Sequence, residues 1–341
     1  MDGTKRDPEA FAEIGRWVTR CARPADLARW RLAFADDGPG TGASGSGAPG
    51  YNAPMTDAER SAAREARRRE AVEALAAYQN ADGGFGHALE ADSWNPDSSP
   101  LTTSTAVGIL DEIGWADAAH PVVQGILRYL DGRCDMDEAR KRWLLCVPSN
   151  DLHPHAPWWG FATASAERAE FNPTGILAGF LMRHAARGSE RFAFAEPIAR
   201  ELLARFLAEP RIDMHPLACV LSLLDGLKRS WFDDAALLAR AGEAAMVRVH
   251  ELIEKDRDDW GAYACRPSFF VDGPEHPLAA GNEDAIDAEC DFLLSGRGAD
   301  GVWGLSWSWG AYEREFAVAE TWWKADVALR HARFLRAFGR I

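Results

Sequence analysis

The sequence predicts an all-α protein in which five to six helical hairpins are arranged as concentric inner and outer rings, an α/α toroid. Three observations carry that expectation. Helical segments with one apolar stripe alternate with helical segments that are apolar almost all round, as two layers require: an outer ring touches protein on one side and an inner ring on both. Period-two alternation is almost missing, so strands should be few. The pairs Ser99-Pro100, Asn172-Pro173, His215-Pro216 and His276-Pro277 read as starts of inner helices, since proline suits the first helical position. An open α-solenoid is the rival arrangement, but its inner helices would carry more polar residues on the concave face.

Residues 8–35 read as one or two amphipathic helices through Phe11, Ile14, Trp17, Val18, Leu27, Trp30, Leu32 and Phe34. Residues 36–55 are rich in Gly, Ser, Pro and Ala and are expected to form a flexible insertion in a single domain spanning 1–341. The segment before that insertion is too short to fold alone. Thr56-Asp57 opens a charged helix to about Tyr78 with a buried stripe at Ala71, Leu75 and Tyr78. The next helix, Leu101 to Ile113, has only Thr and Ser as polar residues as far as Leu110, and is expected to be buried on all sides. The alternation then continues through Val122–Leu130 (amphipathic), Thr174–His184 (apolar), Ile198–Leu207 (amphipathic) and Leu217–Leu227 (apolar). Ala235–Ile253 is again amphipathic, Glu283–Leu294 is mixed, and a last helix runs from about Ala319 to Phe338.

Composition excludes several functions. A formal charge of −14 over 341 residues is unsuited to nucleic acid, which demands a basic face. No run of apolar residues is long enough to span a bilayer, and the N-terminus does not resemble a signal peptide. The six cysteines are widely spaced and read as free thiols of a reducing compartment, so a cytoplasmic location is expected. Phosphate-loop, Gly-x-Ser-x-Gly and His-Glu-x-x-His strings are all missing, and no cofactor is expected. The expected partner is a small-molecule ligand, because the 14 tryptophans cluster with carboxylates and histidines as in ligand clefts.

The most distinctive string is Leu75-Ala76-Ala77-Tyr78-Gln79-Asn80-Ala81-Asp82-Gly83-Gly84-Phe85-Gly86. A second copy is Asp300-Gly301-Val302-Trp303-Gly304, with Ser295 where Gln is expected, and Asp258-Asp259-Trp260-Gly261 is an eroded third. These segments resemble the Gln-Trp-type repeat of squalene–hopene cyclases and protein prenyltransferase β-subunits. The resemblance implies a toroid, and acid-initiated cyclisation, isomerisation or elimination on a mainly apolar molecule in a Trp-lined central cavity. In physical terms Gln79, Asp82, Phe85 and Trp303 are architectural, bonding open helix ends and filling the gap between hairpins. Asp135-Met136-Asp137-Glu138, close to the family's Asp-x-Asp-Asp acid, reads as surface; the string Asp256-Arg257-Asp258-Asp259 overlaps the eroded third copy. Asp287, Cys290 and His331 could stand for the zinc set of the prenyltransferases, but their spacing departs from the family's, and no metal is expected.

Four constellations could carry chemistry. Glu90 and Asp92 stand beside Trp94, where desolvation would raise a carboxyl pKa and create an acid at neutral pH; helix capping is the structural alternative. His153 and His155, followed by Trp158 and Trp159, form a proline-stiffened loop suited to acid–base work or to packing. Ser99, Asn172, His215 and His276 would ring one mouth of the barrel if the x-Pro helices are parallel, where helix N-termini favour an anion or polar head group. Trp303, Trp307 and Trp309 lead to Glu313, Glu315, Glu320, Trp322, Trp323 and Lys324, a wall of indoles for a carbocation or a sugar ring. The leading expectation assigns Glu90 or Asp92 as proton donor and His153, His155 or His215 as base or anchor. Trp94, Trp158, Trp159, Asn172, His276, Trp307, Trp309, Glu320 and Trp323 are then expected to bind substrate. A carbohydrate-acting hydrolase, lyase or epimerase is the alternative, and a non-catalytic binding or scaffold protein a third. Cavity lining separates the first two. Leu, Phe and Trp with one acid favour the cyclase; Asp, Glu, Arg and Asn between Trp planes favour the sugar enzyme.

Overall fold

The computed structural model describes residues 6–34, 56–163, 168–209, 211–253 and 257–341; the expected insertion at about 36–55 lies outside the described residues. Among the described residues the chain is all-α, with eleven α-helices, short 3-10 turns and one two-stranded antiparallel ribbon, β1 (Met136–Asp137) and β2 (Arg142–Trp143). α1 (Pro8–Cys21) begins where Asp7 accepts from the Ala10 N–H at 2.9 Å. α2 (Pro24–Ala33) lies on α3 (Asp57–Ala76), which a reciprocal Thr56–Glu59 capping box opens. α4 (Pro100–Glu112) is capped by Ser99 onto the Thr102 N–H at 3.1 Å. Then follow α5 (Pro121–Asp131), α6 (Thr174–Arg183), α7 (Glu190–Ala208), α8 (Met214–Lys228), α9 (Ala235–Leu252), α10 (Glu283–Ser295) and α11 (Glu313–Ala337).

α6 and α8 approach backbone to backbone. A Cβ on Gly226 would stand 2.4 Å from the Gly179 carbonyl oxygen, and one on Gly175 2.7 Å from that of Cys219, so any side chain there would push the two helices apart. α6 also packs on α4 and α7, and α9 packs on α7 and α8. From the two ends of the chain, α11 packs on α1 and α2. One cluster of buried apolar side chains runs from Ala10 to Ile341. A smaller cluster gathers Leu101, Leu145, Cys146, Ala156, Trp159, Trp309 and Ala319, with Trp94 and Trp158 packed against it.

The Gln79–Gly86 turn ties the end of α3 to the start of α5. Gln79 Nε2 donates to the Gly83 carbonyl at 2.9 Å and to the Val122 carbonyl in the first turn of α5 at 3.0 Å. Asp82 accepts from the Gly84 N–H at 2.9 Å, and the Phe85 N–H donates to Thr103 Oγ1 at 3.0 Å while the ring is fully buried. Gly83 has φ of +96° and lies against Gly125, so glycine is required there. Gly301 repeats the conformation at φ +85°, and Trp303 Nε1 donates to the Leu293 carbonyl at 2.8 Å. Ser295, however, bonds back to the Asp291 carbonyl of its own helix, so the second turn lacks the reach that Gln79 has into the next hairpin.

Several expectations are corrected. α4 is not buried all round, since Thr105 and Gly108 face a cavity described below. α7 begins at Glu190 and passes through Pro197, and α11 begins at Glu313 rather than near Ala319. His276-Pro277 starts no helix; α10 begins later, at Glu283, because the intervening residues lack a helical apolar stripe. His215-Pro216 falls inside the first turn of α8, and Asp213 caps that helix. Proline also opens α1, α2 and α5, so x-Pro marks helix starts in general and not an inner ring.

Candidate functional site

Beyond the Gln79–Gly86 turn, His87 and Ala88 take consecutive left-handed conformations (φ +54° and +57°), a strained pair for residues with a Cβ. That reversal carries Glu90 and Asp92 inward. Residues 92–94 then pair with 154–156: the Ala156 N–H donates to the Asp92 carbonyl at 2.8 Å and the Trp94 N–H to the Pro154 carbonyl at 2.9 Å. The His153–Trp159 loop is thereby set against the acids.

Glu90 is 8% exposed. Burial lifts its carboxyl to about 8, with the charge of Asp92 adding to the shift and the Asp92 N–H, Arg23 and the Trp159 indole opposing it. Among the described residues no cation stands at ion-pairing distance from it. Asp92 is also buried, and Oδ1 accepts from Trp309 Nε1 at 2.8 Å. Burial raises the Asp92 carboxyl too, while the indoles of Trp309, Trp323 and Trp307 favour its ionised form. Only Trp309 reaches full hydrogen-bonding geometry; the N–H groups of Trp307 and Trp323 lack it. Trp94 stacks on Trp322 with centroids 5.3 Å apart, and Trp307 meets Trp323 edge-on at 5.5 Å. The acids, Trp159 and the indoles of Trp307, Trp309, Trp322 and Trp323, from three separate stretches of sequence, thus come together.

Glu90 opens on a cavity of about 210 Å³ between α2, α4 and α11. Its walls include Trp322 and Trp323 and a network that the sequence alone did not assemble. Arg29 donates through Nη1 to Asp26 at 3.1 Å and to Asp326 at 2.9 Å, and through Nε and Nη2 to Glu112. Arg23 Nε donates to the other Asp26 oxygen at 2.7 Å. Burial would raise the Asp326 carboxyl, but Arg330 and Arg29 bring it down to about 2. One local signal existed: Asp26 and Arg29 lie one turn apart on the short helix α2, whose other side chains are largely apolar.

The remaining candidates lie at the rim or away from it. His215 Nε2 bonds Tyr263 Oη at 2.8 Å, and Tyr263 meets Trp307 edge-on at 5.8 Å, so His215 reaches the indoles through Tyr263. His155 Nδ1 bonds the His153 carbonyl at 2.7 Å and is committed within its own loop. Trp158 packs on the smaller apolar cluster. Asn172 precedes α6 across a cis peptide bond to Pro173. His276 Nδ1 accepts from the Leu278 N–H at 3.2 Å, closing its own turn. Glu320 is half-buried on α11. Asp135 is half-buried rather than on the surface and accepts from Tyr129 Oη at 3.0 Å. Asp287, Cys290 and His331 do not converge; among the described residues no group of three or more His, Cys, Asp or Glu side chains is arranged to hold a metal ion. No described helix is long and apolar enough to cross a membrane, and all six cysteines are free.

No protein-family model, curated protein or solved structure matches this chain. The likeness of Gln79–Gly86 to the cyclase and prenyltransferase repeat therefore stands on those residues alone.

Proposed function

We propose that this protein is an acid–base enzyme acting on a single sugar-like ring, as a carbohydrate hydrolase, lyase or epimerase, with Glu90 as proton donor. The cavity lining carries the reading. Glu90, protonated at neutral pH, stands among Arg23, Arg29, Glu112, Asp326 and Thr105, with the planes of Trp322 and Trp323 beside them. Charged groups between indole faces suit a ring with hydroxyls on its edge and C–H groups on its face. A volume of about 210 Å³ lies under the roughly 300–1,000 Å³ of pockets that take drug-sized ligands, which suits one ring better than an extended isoprenoid. In a hydrolysis, Glu90 gives its proton to the bridging oxygen as the C–O bond breaks and its electron pair leaves with that oxygen. Water then adds to the ring carbon and returns a proton to Glu90. Asp92, held by Trp309, keeps the Glu90 proton in place through its charge.

We infer further that the helices close into an α/α toroid. In support, α4, α6 and α8 pack in succession with α7 and α9 beside them, and Arg29 on α2 bridges Glu112 of α4 and Asp326 of α11. Cyclisation or isomerisation of an apolar substrate is the second reading, favoured by the indoles of Trp94, Trp307, Trp309 and Trp322 around the acids. Turnover of aryl glycosides, oligosaccharides and prenyl diphosphates by the wild type and by E90Q separates the two. Sugar turnover that drops by about a hundredfold or more in E90Q is the expected result. Turnover of prenyl diphosphates alone moves the assignment to the second reading, and an unimpaired E90Q removes Glu90 as the acid.

A further inference from the structure

Arg23 is the wall residue whose chemistry the acid–base reading leaves unused. Its guanidinium is fixed: Nε donates to Asp26 at 2.7 Å, and Nη1 donates to the carbonyls of Ala88 at 2.8 Å and Leu89 at 3.3 Å. Tyr78 and Trp322 pack against it, with centroids 5.7 and 5.3 Å from its central carbon. Nη2 has no partner among the described residues. Nor is it enclosed by protein, as the unpartnered Nε atoms of Arg297 and Arg340 are. The side chain is 11% exposed and stands beside Glu90 in the cavity wall. A guanidinium edge held rigid, with unused N–H groups facing a cavity, is suited to an oxyanion, because little ordering is left to lose when the ligand arrives.

The other wall cation has no such edge to offer: Arg29 is committed to Asp26, Glu112 and Asp326, so Arg23 is the wall cation with donors to spare. Asp92 is turned to the Trp309 indole, and Glu90 holds its proton at neutral pH. α4 adds an observation of a different kind. Gly108 lies inside that helix, where glycine is less favourable than alanine, and a Cβ placed on it would meet no atom within 4 Å. Close packing explains Gly175 and Gly226; it does not explain Gly108, which keeps the wall flat where a ring would lie.

We propose that the ligand of this cavity is a sugar-sized ring bearing an anionic group, carboxylate or phosphate, held on Arg23 Nη2 with the ring over Gly108. The sugar-like ring is taken from the function proposed above; the anion and its place are additional. Isothermal titration of the full chain with D-glucuronate, glucose 6-phosphate and D-glucose tests it. One charged sugar should bind at least about tenfold more tightly than glucose, and the tighter of the two identifies the anion. R23Q should bring that affinity down to the glucose level. G108L, which leaves every charge in place, should abolish binding of all three sugars while melting no lower than the wild type. Equal affinity for glucose and both charged sugars overturns the anion and leaves the sugar reading standing. Failure of all three to bind overturns both. Retained discrimination in R23Q, or wild-type binding by G108L, overturns the placement.

Discussion

Glu289 on α10 and Glu90 beyond the Gln79–Gly86 turn are both withdrawn from water, and their surroundings treat them differently. Glu289 Oε2 accepts from the Ser268 N–H at 2.7 Å, and Oε1 accepts from Ser268 Oγ at 2.5 Å and Arg266 Nε at 3.1 Å. Burial pushes its carboxyl up, and the two groups of Ser268 and then Arg266 oppose that push. Glu90 has no such cation; its closest backbone donor is the Asp92 N–H at 3.5 Å, and burial together with Asp92 carries it to about 8. One buried glutamate is saturated with donors and belongs to the architecture. The other is held as a neutral acid facing a cavity, a state useful for moving a proton and costly for anything else.

The largest test removes the saturated partner. E289A leaves the Arg266 guanidinium without its carboxylate, and breaking such a buried pair costs roughly 3–5 kcal/mol. Urea unfolding measures the loss. A change within about 1 kcal/mol would mean that Glu289 is as dispensable to the fold as Glu90, and the contrast between them would collapse.

E90Q should act in the opposite direction. Folded Glu90 titrates near 8, whereas an unfolded glutamate titrates near its ordinary value of 4.5. Between those values the folded chain holds a proton that the unfolded chain has released, so stability falls as pH rises through this window and levels off above it. The deficit at about pH 9 is on the order of a few kcal/mol. Glutamine mimics the protonated acid and never ionises. The variant should therefore match the wild type at about pH 4 and melt at a higher temperature at about pH 9. Parallel melting curves across that range would show that Glu90 ionises without penalty.

The contrast also explains what the sequence disclosed. Glu90 and Asp92 are legible because they stand beside Trp94 after a glycine turn, and the helices α3 and α4 announce themselves through the Thr56–Glu59 box and Ser99-Pro100. The groups that give the acids their character are remote. Trp309 is 217 positions from Asp92, and Asp326 is 297 positions from Arg29. Glu112 and Asp326 carry no local sign of burial, and only the packing of α2, α4 and α11 brings them to Arg29. The misplaced elements fail for a local reason. α11 starts at Glu313 behind an uncapped left-handed Tyr312, so no capping side chain marks it, and its acidic first turn is the start signal it carries. His276-Pro277 shows the reverse, a start signal with no helix behind it.

The smallest test sharpens the contrast from the Glu289 side. S268A deletes the hydroxyl donor and keeps the Ser268 N–H and Arg266 on the same carboxylate. A single neutral donor removed from a site that keeps two others costs about 1 kcal/mol. Ligand binding at the Glu90 cavity should not move, since Ser268 and Glu289 take no part in its wall. Chemical denaturation and the same titration series read the two quantities independently. A loss as large as that of E289A would mean that the hydroxyl alone keeps Glu289 ionised. In that case Glu289, like Glu90, would stand at the edge of protonation, and saturation with donors would no longer distinguish the architectural carboxylate from the chemical one.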